Sequence, residues 1–271
     1  MAADPGSGTY LYAVAEEHPG REGAFPQGVA GGEVRVIGRA GLAAYVSTVS
    51  LDQFGEEPLR RSMEDLDWLE EIARAHDRVV EAVARETAVV PVRLVTVYSG
   101  DAQVGTLLEE RQDDFTRALA RVAGRQEWGV KVYAAPEDEP DEQPTGEAGE
   151  AGKEPERPGT AYLRRRQHQI RDREEAWRRA GARAERIHGA LSSIAVASRR
   201  HRAQDPQLSG RPESMVLNGA YLVDQERGEE FARAVEELRG PGGDVQLTGP
   251  WAPYSFAVLD DDAGGAGGDL R

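Results

Sequence analysis

The chain has 271 residues and a net charge of −15, with no cysteine at any position. This length is compatible with two domains, and the lack of cysteine excludes disulfides, thiolate metal sites and cysteine nucleophiles, as is typical of a cytoplasmic protein. The charge predicts long-range repulsion from nucleic acid and anionic membranes, and no apolar run approaches the roughly 18 residues of a membrane-spanning helix. The N-terminus lacks the basic and apolar regions of a signal peptide, so we expect none.

Three strands are predicted at the start of the chain. Alternating apolar and polar residues indicate strands over 9–16, 33–39 and 42–50. Only Ala40 and Gly41 separate the second strand from the third, which predicts a β-hairpin.

A helix is predicted next. Ser62 followed by Asp65 indicates an N-cap, and apolar residues then recur at spacings of three and four, as on one face of a helix. His76 lies on this face, where we expect a core histidine hydrogen-bonded within the domain. The predicted face consists of Leu66, Leu69, Ile72 or Ala73, His76, Val80 and Val83.

A buried strand and a second helix complete the predicted N-terminal domain. Residues 88–100 are rich in β-branched side chains, with Pro91 near their start, and predict the strand. Apolar periodicity over 104–123 predicts the helix. These elements together predict an α+β domain over residues 8–124.

The composition changes sharply after another predicted strand, 127–135. Residues 136–158 hold nine acidic residues, two basic residues and five prolines, without apolar periodicity. Such a segment buries too little apolar surface to offset its ordering entropy. We therefore predict a disordered acidic insertion over 136–158.

The longest predicted helix spans residues 160–192. Its apolar residues repeat every seven positions, a pattern that can pack on a sheet or on a partner helix. We expect Trp177 to be buried and the stripe to cover the protein's own sheet. The alternative is a self-associating scaffold that uses residues 163–191 as a coiled coil. The stripe consists of Leu163, Ile170, Trp177, Ala184 and Leu191.

The remaining elements predict a second domain. From residue 127 onwards the predicted order is β-α-β-β-α-β, as in a modified ferredoxin-like fold. We therefore predict an α+β protein of two domains, the second over 125–260 with the acidic insertion inside it, followed by a disordered tail over 261–271. The predicted strands of this part cover 193–203, 214–224 and 244–260, and its short helix covers 228–240.

No motif for catalysis or cofactor binding occurs in the sequence. It has no Gly-x-Ser-x-Gly nucleophile elbow and no phosphate-binding loop, and its histidines lack the spacing of metal ligands. We therefore expect no enzyme activity, no catalytic residue, no cofactor and no metal. Residues 160–202 carry twelve arginines against four acidic residues, but aromatic residues are not interleaved with them. A solvated or internally neutralised face is therefore favoured over a nucleic-acid site.

The segment "GPWAPYSF", residues 249–256, predicts a structural corner. Pro250 and Pro253 each lack the backbone donor of a strand ladder, so the chain must bulge or lie on a sheet edge there. Aromatic residues in such a corner either cover a sheet face or offer a rigid surface to a partner, and both readings remain open. The aromatic residues are Trp251, Tyr254 and Phe256.

Six segments follow one another along the chain: "YLYAV", "HDRVVEAVARETAVVPVRLVTVY", "GRQEWGVKVY", "AYLRRRQ", "LNGAYLVD" and "LTGPWAPYSFAVL". In this order they resemble the GvpL/GvpF family of gas vesicle proteins. The resemblance extends from Tyr10 to Leu259, with the acidic insertion as its variable part. Leu94 and Val95 depart from a Phe-Gly pair in members of the family, which weakens any contact role for these two side chains.

The resemblance implies an accessory or minor structural protein of gas vesicle formation with two α+β domains. It implies binding to the small hydrophobic shell protein of the GvpA type, contacts with other Gvp accessory proteins, and a location at the gas vesicle in the cytoplasm. An acidic partner can cap the apolar face of a shell subunit before that face aggregates. We expect neither a nucleic-acid nor a membrane partner, and a monomer when the chain is isolated.

Two surfaces are candidate protein contacts. One is the aromatic corner, because prolines flank its aromatic side chains. The other is the basic helix, because its arginines are not matched within the helix. The candidate residues are Trp251, Tyr254 and Phe256 of the corner and Arg164, Arg165 and Arg166 of the helix.

Overall fold

The structure is a computed structural model that describes residues 6–18, 25–134, 158–203, 213–240, 243–257 and 259. Within the helix that begins at Pro158, the side chains of residues 158–165 and 169 are not described. The predicted tail and all of the predicted acidic insertion except Pro158 lie outside the described residues.

The chain divides into two compact units, of which one comprises 1–128, 222–228 and 249–271 and the other comprises 129–221 and 229–248. The last part of the chain therefore groups with the N-terminal sheet. The predicted domains 8–124 and 125–260, as pieces that fold independently, stay a prediction.

A five-stranded sheet organises the N-terminal part. The sheet has the order β2-β3-β1-β4, and β5 also pairs with β1. Ala40 and Gly41 close the predicted hairpin with φ values of 54° and 75°, the left-handed conformation that a two-residue hairpin turn requires. The strands are β1 (Ser7–Glu16), β2 (Arg35–Arg39), β3 (Leu42–Ser50), β4 (Val89–Pro91) and β5 (Val97–Tyr98).

The core of this part lies between β1 and the longest of its helices. The Asp65 carboxylate begins that helix by accepting hydrogen bonds from the Asp67 and Trp68 amides at 3.0 and 3.2 Å. Its apolar face then packs in one cluster with Tyr10 and Tyr12 of β1. The helices are α1 (Leu51–Phe54), α2 (Glu56–Ser62), α3 (Leu66–Ala84), α4 (Asp101–Glu110) and α5 (Gln112–Val122).

Four details differ from the sequence-based expectation. Ser62 ends α2 instead of capping α3, and Leu66 is 79% exposed because it lies in the first turn, before the helix reaches the core. The predicted strand 88–100 is interrupted between β4 and β5, where Val95 has a φ of +64° that no regular strand contains. The predicted helix 104–123 is two helices, α4 and α5, separated at Arg111.

Among the described residues that follow α5, the strands form a four-stranded sheet of order β7-β8-β6-β9, accompanied by two α-helices. Their succession along the chain agrees with the predicted β-α-β-β-α-β order. The first of these strands begins and ends two residues before the predicted 127–135, β7 is shorter than predicted, and the last strand ends at Trp251. The elements are β6 (Arg125–Tyr133), α6 (Pro158–Ser192), β7 (Ala197–Arg200), β8 (Met215–Asp224), α7 (Gly228–Glu237) and β9 (Val245–Trp251).

The C-terminal half of α6 packs into a core. Ala184, Ile187 and Leu191 are each at most 4% exposed. On the same half of the helix, His188 Nδ1 lies 2.9 Å from the buried Tyr221 hydroxyl of β8.

The N-terminal half of α6 contradicts the prediction. Ile170 is 51% exposed and Trp177 is 48% exposed, so the expected burial of Trp177 is wrong. The heptad pattern marks one helix face, and among its described side chains Ala184 and Leu191 are buried whereas Ile170 and Trp177 are exposed.

Candidate protein-contact site

The aromatic corner, residues 249–256, contains the end of the edge strand β9 and the turn that follows it. Among the described strands, β9 is the last in its sheet order, which confirms that the prolines place this segment on an edge. Beyond Trp251 the chain turns back on itself, because the Tyr254 amide donates to the Ala252 carbonyl at 2.8 Å and the Ala257 amide donates to the Pro253 carbonyl at 2.9 Å. The corner is therefore an ordered turn with its own backbone hydrogen bonds.

Gly249 determines how the chain enters this corner. Its φ is +105°, a conformation that side chains rarely adopt, and a Cβ added there would lie 2.9 Å from the Glu127 carbonyl oxygen. The Gly249–Pro250 peptide bond is cis. Glycine is therefore required at this position for both conformational and steric reasons.

The three aromatic side chains of the corner differ in exposure. Trp251 is 48% exposed and Tyr254 is 38% exposed, whereas Phe256 is only 6% exposed. Ala252, between them, belongs to the hydrophobic cluster of β1 and α3. The corner thus divides into an anchor, Ala252 and Phe256, and an outward pair, Trp251 and Tyr254.

A buried carboxylate fixes the turn. Both oxygens of Glu127 accept hydrogen bonds from Ser255, one from its amide at 2.7 Å and one from its hydroxyl at 2.6 Å. Glu127 is 9% exposed, so these charge-assisted bonds satisfy a charge that is largely removed from water. The corner is consequently held by polar bonds as well as by apolar packing.

Tyr254 is held in place by α3. Its hydroxyl donates to the Asp77 carboxylate at 2.8 Å, and its ring centroid lies 6.3 Å from that of His76. Partial burial and the neighbouring Asp77 carboxylate raise the pKa of Tyr254 above its ordinary value. The hydroxyl therefore stays protonated and keeps donating to Asp77. This hydrogen bond holds the side chain in place, although 38% of the residue is exposed to solvent.

Beneath the corner, His76 joins a buried polar pair. The Tyr10 hydroxyl accepts from the Val95 amide at 3.0 Å and lies 3.1 Å from His76 Nδ1, so its own proton is available to that nitrogen. Burial lowers the pKa of His76 to about 4, against the opposing effects of Asp77 and the Val92 backbone. The ring is neutral at pH 7, which confirms the prediction of a hydrogen-bonded core histidine.

A second buried tyrosine has the same arrangement. The Tyr12 hydroxyl lies 2.7 Å from the Ser47 hydroxyl and accepts from the Val29 amide at 2.8 Å. The Tyr10 and Tyr12 rings lie 4.8 Å apart. Local sequence patterns do not predict this cluster, because it joins residues that are distant along the chain. Its signal in the sequence is the "YLY" spacing of β1.

Of the three candidate arginines of the basic helix, the structure describes the side chain of one. Arg166 is exposed, whereas the side chains of Arg164 and Arg165 are not described. Farther along α6, Arg183 donates to the Gly243 carbonyl at 3.0 Å. Glu185 of the same helix binds Arg200 of β7 through two bonds of 2.6 Å. Arg183 and Glu185, toward the C-terminal end of α6, thus help to hold their own unit together.

Burial keeps three titratable groups of the two units, His76, Tyr10 and Tyr221, in their neutral forms near pH 7. His76 is neutral and 1% exposed, and burial raises the pKa of Tyr10 and of Tyr221. Among the described residues, no group of three or more possible ligands is placed to hold a metal ion. None of the described helices is both long enough and apolar enough to cross a membrane.

Comparison with known proteins identifies the family. The sequence model of "Gas vesicle synthesis protein GvpL/GvpF" matches residues 8–258. The chain is 46% identical over 255 residues to gas vesicle protein L of Streptomyces sp. (strain CB03234), covering 93% of this chain and 94% of that protein. It is 25% identical over 264 residues to gas vesicle protein F of the same strain, covering 92% of this chain and 98% of that protein.

Two crystal structures share the fold. The gas vesicle protein GvpF from Anabaena sp. PCC7120 superposes with a TM-score of 0.63 at 20% identity, covering 94% of this chain and 97% of that one. GvpF from Microcystis aeruginosa gives a TM-score of 0.63 at 18% identity, covering 93% and 99%. The structural likeness extends over the same length as the sequence match. The chain therefore belongs to the GvpL/GvpF family of gas vesicle synthesis proteins and has a role in gas vesicle formation.

Proposed function

We propose that this protein is an accessory or minor structural protein that binds the small hydrophobic gas vesicle shell protein and assists its assembly, and that it is not an enzyme. The observation that carries the proposal is the outward pair of the aromatic corner, Trp251 and Tyr254, exposed on an anchored turn. Membership of a gas vesicle synthesis family supports the choice of partner.

The geometry favours a protein contact for energetic reasons. Trp and Tyr are the side chains that most often dominate protein interfaces, because each buries a large ring with few rotatable bonds. Here the turn is already fixed by Glu127 and Ser255, and Tyr254 by Asp77. Binding therefore orders little new structure, which lowers its entropic cost. Phe256 is buried and we assign it to the anchor of the corner.

The basic helix is proposed as a second contact. Arg166 is exposed on α6 and is available to an acidic surface. Arg164 and Arg165 precede it directly and are included on the sequence pattern alone. Because exposed ion pairs contribute little affinity, we expect this contact to affect the association rate and its salt dependence more than the equilibrium constant.

We also propose the two-domain, modified ferredoxin-like architecture. The sheet order β7-β8-β6-β9 supports it, because the first strand of this series lies between its third and fourth strands, as in a split βαβ fold. Expression of residues 125–260 alone tests the proposal: a cooperative unfolding transition is expected. Because residues 249–257 group with the N-terminal unit, a fragment that fails to fold would contradict the predicted boundary.

The comparisons support a finer assignment. Identity to the L protein of one Streptomyces strain, 46%, exceeds identity to the F protein of that strain, 25%, so we propose that the chain is of the L type. The proposed partners are the shell protein of the GvpA type and other Gvp accessory proteins, and the proposed location is the gas vesicle in the cytoplasm.

Co-expression with the cognate shell protein tests the function. The shell protein is expected to stay in solution and to co-purify with the wild-type chain in a complex of defined mass. Trp251→Ala is expected to weaken that complex by about 10-fold or more. Tyr254→Phe, which keeps the ring, is expected to weaken it much less than Tyr254→Ala.

Leu66→Ala is the matched control, because Leu66 is an exposed apolar residue of the same unit away from the corner. It is expected to bind as the wild type does. Circular dichroism of each variant separates loss of binding from loss of folding. A wild-type chain that never co-purifies with shell protein would refute shell binding, and equal binding by folded Trp251→Ala would refute the contact site.

The self-associating scaffold remains a second candidate, because one observation favours it. Burial of Trp177 against the protein's own sheet would speak against a coiled coil, and Trp177 is 48% exposed.

A further inference from the structure

Residues 51–71, from α1 to the first turns of α3, form an acidic surface that exposes two apolar side chains. The segment carries eight acidic residues and two arginines. Within it, Met63 is 53% exposed and Leu66 is 79% exposed, and three chain positions separate them by no more than about 11 Å. We call these two residues and the exposed carboxylates beside them the acidic patch, which consists of Met63, Glu64, Leu66, Asp67 and Glu71.

Ion pairs inside this surface leave much of its charge unmatched. Arg60 pairs with two glutamates of α2 at 3.3 and 3.2 Å, and Arg61 donates to a backbone carbonyl of α2 at 3.4 Å. Arg74 of α3 pairs with Glu70. Among the described residues, no cationic side chain pairs with the three acidic members of the patch. The acidic patch therefore favours a cationic partner.

The N-terminal half of α6 has the opposite charge around a similar apolar centre. Ile170 is 51% exposed and Trp177 is 48% exposed, and the helical rise places them about 10.5 Å apart along the axis. At 100° per residue, three arginines and one glutamate lie within about 90° of these two side chains. We call this side the basic face, which consists of Arg166, Ile170, Arg173, Glu174, Trp177 and Arg178.

The charge of this face selects the kind of surface that can cover it. Residues 158–179 as a whole contain seven arginines and three acidic residues, so the excess of positive charge is not confined to one side. A shallow open groove of about 460 Å³ follows the basic face between Ile170 and Arg178. Two basic faces would repel each other, whereas an acidic surface with apolar side chains matches both the charge and the groove.

We propose that the basic face of one copy docks on the acidic patch of a second copy. Ile170 and Trp177 then cover Met63 and Leu66, whose separation is similar, while the arginines lie opposite the carboxylates of the patch. The contact is heterologous, because each copy contributes a different surface to it. Both surfaces belong to one chain, so they are always present in equal amounts.

The acidic segment 136–157 is a poorer match for the basic face. It has the required charge, but apart from its prolines it contains no apolar side chain larger than alanine. It cannot bury Ile170 and Trp177 as Met63 and Leu66 can, and apolar burial contributes more free energy than exposed ion pairs do.

The pairing goes beyond shell-protein binding. Linked copies present several aromatic corners, and several binding sites that engage one assembly raise the apparent affinity without any new contact. Two apolar residues from each copy make a contact well below the standard interface of about 800 Å² per partner. We therefore expect a dissociation constant on the order of 50 µM at low salt.

Sedimentation equilibrium of the full chain, without shell protein, tests the pairing. Between about 5 and 500 µM, a range chosen around the expected constant, the mean mass is expected to rise above that of a monomer. Leu66→Ala and Trp177→Ser are each expected to weaken the association by about 10-fold. Val196→Ser is the matched control, since Val196 is 47% exposed outside both surfaces, and it is expected to associate as the wild type does.

Mixing the two variants distinguishes this contact from one between like surfaces. Leu66→Ala keeps an intact basic face and Trp177→Ser keeps an intact acidic patch, so one wild-type contact can form between them. The equimolar mixture is expected to form a dimer with a constant within about threefold of the wild-type value, although each variant alone associates weakly. Two defective copies of one self-pairing surface could not rescue each other in this way.

Salt dependence tests the role of the charges. Raising the NaCl concentration from about 50 to about 500 mM shortens the screening length from about 14 to about 4 Å and is expected to weaken the association by about fivefold. A contact held by apolar burial alone would not weaken.

Four outcomes would overturn the proposal. They are a monomer at every concentration, a folded Leu66→Ala variant that associates as the wild type does, a mixture that behaves as its separate components do, and association that appears only after deletion of residues 136–157. Circular dichroism establishes that each variant is folded. None of these results depends on shell protein, so each leaves the proposed function intact.

Discussion

Protonation of the buried His76 is expected to weaken the folded state as the pH falls. Burial holds the pKa of His76 at about 4 in the folded chain, against 6.5 in the unfolded chain. Below pH 6.5 the unfolded chain therefore binds a proton that the folded chain does not. The free energy of unfolding that depends on a neutral His76 has its full value above pH 6.5 and is lost as the pH falls toward 4.

The size of this effect follows from the two pKa values. Each pKa unit corresponds to about 1.36 kcal/mol, and the proton uptake integrated from pH 7.0 to pH 5.2 amounts to about 1.6 kcal/mol of unfolding free energy. His76 is 1% exposed, so solvent screening does not reduce this figure appreciably. The lower pH is chosen to stay above the isoelectric point of 4.9, where the protein is least soluble.

Urea unfolding at the two pH values measures the effect in the wild type and in His76→Gln. Glutamine cannot titrate and keeps an acceptor for the Tyr10 hydroxyl, so the variant is expected to lose about 1.6 kcal/mol less than the wild type between these pH values. Other titrating groups cancel in this difference. His168→Gln, at an exposed histidine of α6, is the control and is expected to behave as the wild type does.

Two results would refute the reasoning. One is a pH dependence that is the same in the wild type and in His76→Gln. The other is an NMR titration in which the imidazole of His76 in the folded chain takes up its proton near pH 6.5, since the pKa of about 4 requires it to stay neutral there.

Three further predictions concern stability, and urea unfolding at pH 7 measures each. Gly249→Ala is expected to lower the free energy of unfolding by about 2 kcal/mol, because Gly249 has a positive φ and the Glu127 carbonyl lies close to it. Gly240→Ala, where no described atom lies near the added Cβ, is expected to change it by less than about 0.5 kcal/mol, and equal effects of the two variants would contradict the role of Gly249. Phe256→Ala is expected to cost about 3 kcal/mol and Trp251→Ala less than about 1 kcal/mol, and the reverse order would contradict the division of the corner. Gly189→Ala, in an open position of α6, is expected to stabilise the chain by about 0.8 kcal/mol, and a destabilised variant would show a contact that the structure does not contain.

Local patterns predicted most of the elements, because they depend on short-range properties of the chain. Alternation indicated β1, β2 and β3, and spacings of three and four indicated the buried face of α3. The interruption between β4 and β5 was not predicted, since β-branched residues favour strand conformation locally and only tertiary contacts impose the positive φ of Val95. The tyrosine hydroxyl network was missed for the same reason, because its partners are distant in sequence.

The candidate site was predicted in part. The prolines correctly placed residues 249–256 at a sheet edge, but the sequence could not say which aromatic side chain faces the core. That choice depends on the turn after Trp251 and on Glu127, a residue more than a hundred positions away. The structure divides the aromatic residues of the segment into a buried one, Phe256, which belongs to the anchor with Ala252, and the outward pair, Trp251 and Tyr254.

The heptad stripe of α6 illustrates a limit of periodicity. The pattern states which side of a helix is apolar but carries no information about what covers it. In this chain one uninterrupted stripe has two different surroundings: Ala184 and Leu191 lie in a core, whereas Ile170 and Trp177 are exposed. Leaving the Ile170 and Trp177 side chains in water forgoes the free energy of burying them, so periodicity alone does not tell which half of a stripe lies in a core.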